Sequence, residues 1–153
     1  GTENVAGIVG LGKAAELALA EREEEEIRVR RWRDLLEEKV RQTIPEVVFN
    51  GHREKRLYNT ANFCVKYVEG ESMLLSLDLE GICASSGSAC TSGSLEPSHV
   101  LLAIGLPHEV AHGSLRFSLG KYSREEDIET VANLLPGIVA RLRSMSPLWV
   151  KKQ

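Results

Sequence analysis

Residues 85–94 form the one segment whose composition core packing does not explain. Eight of its ten residues are serine, threonine or glycine, and Cys90 stands among them. These residue types supply no hydrophobic face and lower the cost of backbone motion. We therefore expect a mobile loop that exposes Cys90. An exposed thiol on a flexible loop is a liability unless it reacts.

Three kinds of chemistry suit such a loop: a thiolate nucleophile, a metal ligand, or an anion-binding nest of backbone amides. A phosphate-binding loop of the Gly-x-x-x-x-Gly-Lys type is excluded, because no lysine follows Gly87 or Gly93. A nucleophilic thiolate needs a base, and three histidines are close enough in sequence to be candidates: His99, His108 and His112. Residue spacing alone leaves the three kinds of chemistry open.

The other two cysteines fit a structural role. Cys64 lies in a predicted strand and Cys83 follows Ile82, so we expect both thiols to be buried and unreactive. An odd number of cysteines without a Cys-x-x-Cys pair disfavours a disulfide framework and a zinc site. The cysteine usage predicts a reducing, cytoplasmic location.

Overall composition narrows the class of protein. The chain has 153 residues, 42% hydrophobic and 27% charged, which predicts one globular unit. With 19 basic and 22 acidic residues the formal net charge is −3, which does not favour nucleic-acid binding. The apolar stretch at residues 5–20 contains Lys13 and Glu16 and is too short to cross a bilayer, so we expect no membrane association. No signal peptide is visible, and the start at Gly1 without Met suggests a cut polypeptide.

Hydrophobic periodicity and helix-start signals predict an α+β fold, a small sheet covered on one side by helices. Thr2 is the candidate N-cap of the first helix, and Ser123 opens a capping box for the last one. In chain order we predict a helix over residues 2–20, a charged helix ending before Pro45, strands at 47–49 and 62–68, a helix at 71–79, a strand at 82–84, a helix at 98–104, a strand at 114–118 and a final helix from Ser123.

The serine-rich segment resembles a known active site. Residues 85–92, continuing through Leu95-Glu96-Pro97-Ser98, resemble the cysteine loop of the class I cysteine desulfurases, the NifS- and IscS-like enzymes. The resemblance extends along the whole chain in the family's order. It also covers Gly1-Thr2, residues 67–72, Ala111-His112, residues 116–120 and the segment Ser146-Pro147-Leu148-Trp149.

This resemblance implies a fold-type I, aspartate aminotransferase-like enzyme that uses pyridoxal 5'-phosphate. Such an enzyme converts L-cysteine to L-alanine and leaves a persulfide, here on Cys90, to supply an iron–sulfur scaffold or another sulfur acceptor. The resemblance assigns Arg116 to the substrate carboxylate. It assigns Thr2 to the cofactor phosphate in the other subunit of a homodimer. It implies no metal site, apart from a transient iron–sulfur contact through the persulfide of Cys90.

The departures from the family pattern imply that this chain is the C-terminal portion of such an enzyme. The Schiff-base lysine of the family lies upstream in a Ser-x-His-Lys context, and none of the seven lysines here has that context. We therefore expect residues 1–22 to be the last helix of the large domain with its connection, and residues 23–153 to be the small domain carrying loop 85–94. Most cofactor contacts would then come from the missing portion, and the chain alone would be inactive. The alternative is a truncated, non-catalytic module that carries sulfur or binds a partner.

Overall fold

The fold is given by a computed structural model that describes residues 2–86 and 96–149. The described residues form five helices and a three-stranded antiparallel sheet of order β1-β2-β3. The elements are α1 (Val5–Thr43), β1 (Val47–Phe49), β2 (Thr60–Val65), α2 (Gly70–Leu79), α3 (His99–Ala103), α4 (His108–Ala111), β3 (Ser114–Ser118) and α5 (Glu125–Met145). None of these helices is both long and apolar enough to cross a membrane.

The two helices predicted before Pro45 are one continuous helix of 39 residues. The composition changes sharply at Glu21, but glutamate and arginine are good helix formers, so the helix does not break there. Its N-cap is Asn4, whose side-chain Oδ1 accepts a hydrogen bond from the Gly7 N–H at 3.0 Å. The prediction that Thr2 caps this helix was wrong.

One face of the sheet is covered by the three long helices. Alternate residues of the strands, such as Phe63 and Leu115, are fully buried on this face. They pack against α1, α2 and α5 through Leu36, Met73 and Leu135, none of which is exposed. In α1 the buried residues begin only at Val29, whereas the large apolar side chains before it are exposed. The predicted α+β architecture, a small sheet with one face covered by helices, is therefore confirmed.

The opposite face of the sheet is partly covered as well. Cys64 is fully buried there and packs with Leu101 of α3 and Ala111 of α4. Residues 82–84 do not form the predicted strand; only Ser85 pairs, through an isolated antiparallel bridge to Arg116. This face is therefore apolar near α3 and α4 and polar near Arg116.

The start of α5 also differs from the prediction. Its N-cap is Arg124, whose backbone N–H donates to Asp127 Oδ2 at 2.8 Å. The hydroxyl of Ser123 instead accepts from the Gly120 N–H at 3.0 Å. The helix thus begins one residue later than the predicted capping box, and Asp127 takes the role expected of Glu126.

Arg143, near the end of α5, joins three parts of the fold. It is 3% exposed, and its guanidinium donates to the carbonyl of Pro45 at 2.8 Å and to the carbonyl of Lys66 at 3.1 Å. Trp149 lies beneath it, with the ring centroid 4.4 Å from Cζ. Burial lowers the pKa of Arg143, and the charge of Glu46 opposes this effect. One buried cation therefore holds together the turn before β1 and the turn after β2.

We predict that Gly70→Ala destabilises the chain. A Cβ at Gly70 would lie 2.8 Å from the backbone oxygens of both His112 and Ser114, and neither carbonyl is the end of a flexible side chain. Overpacking of this kind costs roughly 1–3 kcal/mol. Gly137→Ala is the matched control, because a Cβ there meets nothing within 4 Å and alanine favours the helix by about 0.5–1 kcal/mol. Urea unfolding measures both variants, and equal stabilities would contradict the predicted clash.

Candidate active site

Arg116 lies in the middle of β3, on the face of the sheet opposite the main core. Its Cα partner on β2 is Asn62. Its backbone exchanges two hydrogen bonds with Ser85, one from each N–H to the other residue's carbonyl, at 2.6 and 3.0 Å. The side chain is half-buried, and no described acidic residue forms an ion pair with it. A cation in this setting is available to bind an anion.

The segment that contains Cys90 starts beside Arg116. The Ser114 hydroxyl donates to the carbonyl of Ser86 at 2.5 Å, next to the bridge between Ser85 and Arg116. Cys90 and residues 87–94 of the predicted loop lie outside the described residues. The chain is described again from Glu96, whose Oε2 is 3.1 Å from His108 Nε2. β3 and α4 therefore contact the residues on either side of this segment.

A network of polar side chains runs from β3 toward β1, beside Arg116. Asn62 Nδ2 donates to the Leu115 carbonyl at 3.0 Å, and Asn62 Oδ1 accepts from Asn50 Nδ2 at 2.6 Å. Asn50 is 8% exposed and also donates to Cys64 Sγ at 3.3 Å. Sequence reasoning missed this network, because Asn50-Gly51 reads only as a turn signal. Thr60 and Asn62 alternate with apolar residues in β2, and this alternation was a signal that one face of the sheet is polar.

The remaining cysteines differ from each other. Cys64 is buried as predicted; burial raises the pKa of its thiol, and the hydrogen bond from Asn50 opposes this effect. Cys83 is exposed, so the prediction of a buried thiol was wrong. The reason is that residues 82–84 form no strand, and the chain therefore holds Ile82 against the core while Cys83 faces solvent.

The structure brings together two of the three histidines. The rings of His108 and His112 meet edge to face with centroids 4.7 Å apart, and both line a groove of about 1170 Å³ beside residues 142–148. His99 is exposed on α3. Among the described residues no group of three or more histidine, cysteine or acidic side chains could hold a metal ion.

Thr2 lies far from Arg116 within one copy of the chain. Thr2 is exposed, and no residue of α1 before Val29 is buried. At 1.5 Å per residue, Val5 and Val29 are about 36 Å apart along the helix. Thr2 and Arg116 can therefore belong to one site only if the site includes another chain or a further part of the protein.

Comparison with protein-family models identifies the family of this chain. Residues 1–131 match the model described as aminotransferase class V, which is more than half of the chain. The chain belongs to the aminotransferase class V family. This assignment agrees with the resemblance read from the cysteine segment and the residues around Arg116.

Curated relatives within aminotransferase class V are similar over the whole chain. A protein of Nostoc sp. named cysteine desulfurase is 58% identical over 159 residues, covering 100% of this chain and 40% of the relative. Cysteine desulfurase IscS 1 of Archaeoglobus fulgidus is 54% identical over 149 residues, covering 97% of this chain and 39% of the relative. The chain thus spans about two-fifths of the length of the relatives it matches.

A solved structure within the same class has a similar fold. The NifS-like protein of Rickettsia africae ESF-5 superposes with a TM-score of 0.79 at 30% identity, covering 92% of this chain and 36% of that one. The predicted kinship with fold-type I pyridoxal-phosphate enzymes is confirmed.

We predict that the two described cysteines differ in reactivity. In a Cys90→Ser variant of the folded chain, a thiol-directed alkylating reagent should modify Cys83 within minutes. It should modify Cys64 only after unfolding, because that thiol is buried and its pKa is raised. Mass spectrometry after limited labelling counts the modified thiols, with Cys90→Ser combined with Cys83→Ser as the control. Native labelling in that control would contradict the burial of Cys64.

Proposed function

We propose that this chain is part of a pyridoxal-phosphate-dependent cysteine desulfurase, which converts L-cysteine to L-alanine and forms a persulfide on Cys90. The observation that carries the proposal is Arg116: a half-buried cation without an acidic partner among the described residues, bonded through its backbone to the start of the Cys90 segment. The names of the relatives from Nostoc sp. and Archaeoglobus fulgidus support the same reaction.

Arg116 suits the carboxylate of an amino-acid substrate. A guanidinium donates two parallel hydrogen bonds to a carboxylate, which fixes both the position and the orientation of the ligand. The backbone of Arg116 is itself fixed, because it is paired with Ser85 on one side and lies opposite Asn62 on the other. We infer that Arg116 orients L-cysteine so that its thiol faces the segment that carries Cys90.

Cys90 is the proposed nucleophile. Its thiolate would attack the sulfur of the bound L-cysteine. The new S–S bond forms as the substrate Cβ–S bond breaks, and protonation of the carbon gives L-alanine. When bound, pyridoxal phosphate serves as the electron sink for this cleavage. An unperturbed thiol pKa is about 8.5, so only a small fraction of thiolate exists at neutral pH and a base must accept the thiol proton.

The residues of this chain fit the cofactor only in part. Thr2 offers an exposed hydroxyl that could donate to a phosphate oxygen. The one cation in the first twenty residues, Lys13, is paired with Glu16 at 2.8 Å and does not supply the charge that a phosphate needs. We therefore propose that the Schiff-base lysine and most cofactor contacts come from the rest of the full-length enzyme, and that this chain alone is inactive.

The division of the chain follows from the same proposal. Residues 1–22 would be the last helix of the large domain, and residues 23–153 the small C-terminal domain with loop 85–94. The exposed apolar residues Val5, Ile8 and Leu11 are consistent with a surface that the large domain covers. We further propose a cytoplasmic homodimer that passes sulfur to an iron–sulfur scaffold or another acceptor protein. The relatives' names favour this enzyme over a non-catalytic sulfur carrier.

We predict that Cys90→Ser abolishes persulfide formation. Persulfide is lost because a hydroxyl cannot accept the sulfur. In the full-length enzyme that contains this chain, the variant should keep the visible absorbance of bound pyridoxal phosphate and the thermal stability of the unchanged enzyme. Cys83→Ser is the matched control and should form persulfide normally. Persulfide trapping followed by peptide mass spectrometry measures both variants. Persulfide that persists in Cys90→Ser would remove Cys90 from the mechanism.

We predict that Arg116→Lys raises the KM for L-cysteine. The ammonium keeps the charge but cannot form two parallel hydrogen bonds, and a charge-assisted hydrogen bond contributes about 1.5–3 kcal/mol. The expected increase in KM is therefore at least about tenfold. Arg22→Lys, on the exposed surface of α1, is the control. Steady-state release of alanine measures both variants, and an unchanged KM in Arg116→Lys would assign Arg116 to structure alone.

A further inference from the structure

Asn62 and Arg116 lie opposite each other on β2 and β3 as a non-hydrogen-bonded pair, the type of antiparallel pair with the shorter Cα–Cα distance. The Asn62 carbonyl accepts from the Asn50 N–H at 2.9 Å, so the backbone polar groups of Asn62 point toward β1. Those of Arg116 point the other way, toward Ser85. Residues paired in this register without mutual backbone hydrogen bonds have Cα atoms about 4.5 Å apart, and their side chains project side by side from one face. The carboxamide of Asn62 is thus the immediate polar neighbour of the Arg116 side chain across the strands.

The carboxamide of Asn62 is held at both ends. Its Nδ2 donates to the Leu115 carbonyl, and its Oδ1 accepts from Asn50 Nδ2. Asn50 is in turn buried, and its second contact is with the buried thiol of Cys64. A side chain fixed in this way does not rotate to follow a ligand, and it presents the same neutral surface to Arg116 whether or not a ligand is bound.

The side chain at position 62 is neutral, and this matters because the residue opposite it is the cationic Arg116. An aspartate would have the same shape but would place a carboxylate directly across from the Arg116 guanidinium. That internal carboxylate would compete with any external one. We propose that Asn62, held by Asn50, is a positioning residue that keeps the Arg116 guanidinium free of an internal counter-ion and thereby available to the carboxylate of a ligand. That this ligand is an amino acid rests on the proposed function.

A purely structural role for Asn62 predicts different behaviour. If Asn62 only joins β2 to β3 through Leu115, a charge at position 62 would lower stability without any interaction with Arg116. A measurement of the coupling between positions 62 and 116 therefore separates the two roles. It also needs neither the cofactor nor the complete enzyme.

The first experiment measures this coupling in the 153-residue chain. Carbon-13 NMR follows the titration of the carboxyl group introduced by Asn62→Asp, with and without Arg116→Gln. We expect the carboxyl pKa to rise by about 1–3 pH units when the arginine is removed, as for a carboxylate that loses a cation at close range. The hydrogen bond from Asn50 is present in both variants and cancels. The same comparison with Asn59→Asp, just before β2, should show no change.

The second experiment uses the full-length enzyme. Asn62→Asp should raise the KM for L-cysteine about tenfold or more with a smaller change in kcat, since the introduced carboxylate competes for Arg116. Asn59→Asp should leave both constants unchanged. If the enzyme has no desulfurase activity at all, the proposed function fails, whereas the NMR coupling still decides the role of Asn62.

A third variant covers the case in which Asn62→Asp does not fold. Asn62→Glu introduces the same charge on a longer side chain, and its carboxyl pKa should also rise by about 1–3 pH units when Arg116→Gln is added. In either variant, a carboxyl pKa at position 62 that is the same with and without Arg116 would overturn the proposal.

Discussion

The register of β2 against β3 is the constraint on which both the core and the candidate site depend. Alternate residues of β2 point to opposite faces, so Phe63 packs against the helices while Asn62 lies beside Arg116. A slip of one residue would exchange the two faces and place the polar pair in the core. Burial of the apolar residues of β2 and β3 thus fixes the polar face as well. The same packing that stabilises the fold determines the position of the candidate substrate-binding cation.

The chain reversals before β1 and after β2, which lie side by side at one end of this antiparallel strand pair, depend on a second interaction. Glu46 and Tyr67 both have positive φ angles, 57° and 68°, which are unfavourable for residues with a side chain. The carbonyls adjacent to them, those of Pro45 and Lys66, both accept hydrogen bonds from the buried guanidinium of Arg143. One cation from α5 therefore stabilises two strained turns, which explains why an arginine occupies a position that faces the core.

Local sequence patterns predicted most of the elements but not their exact limits. The strands at 47–49 and 114–118 and the stripe of α5 follow from alternation and from steps of three and four residues. The continuity of α1 was missed because composition changes at Glu21, although helix propensity does not. The apolar neighbours of Cys83 predict a strand, but residues 82–84 form none, and Cys83 is exposed. In that part of the chain only Ser85 finds a pairing partner.

The candidate site was predictable only where a short segment carries the signal. Cys90 and Arg116 stand in contiguous motifs, and the resemblance assigned their roles directly. Asn50 and Asn62 are separated from Arg116 by more than fifty residues of sequence, so their relation to it appears only when the strands are paired. Alternation in the sequence indicates which residues of β2 and β3 share a face, but it does not identify which residue of β2 lies opposite which residue of β3.

The length of α1 has a mechanical consequence. Residues 5–20 of the helix extend about 24 Å beyond Glu21, whose carboxylate accepts a hydrogen bond from Lys121, and the helix is continuous over that distance. A tilt of about 5° at Glu21 would displace the start of the helix by about 2 Å. Whatever binds the exposed part of α1 is thereby coupled to the orientation of the sheet.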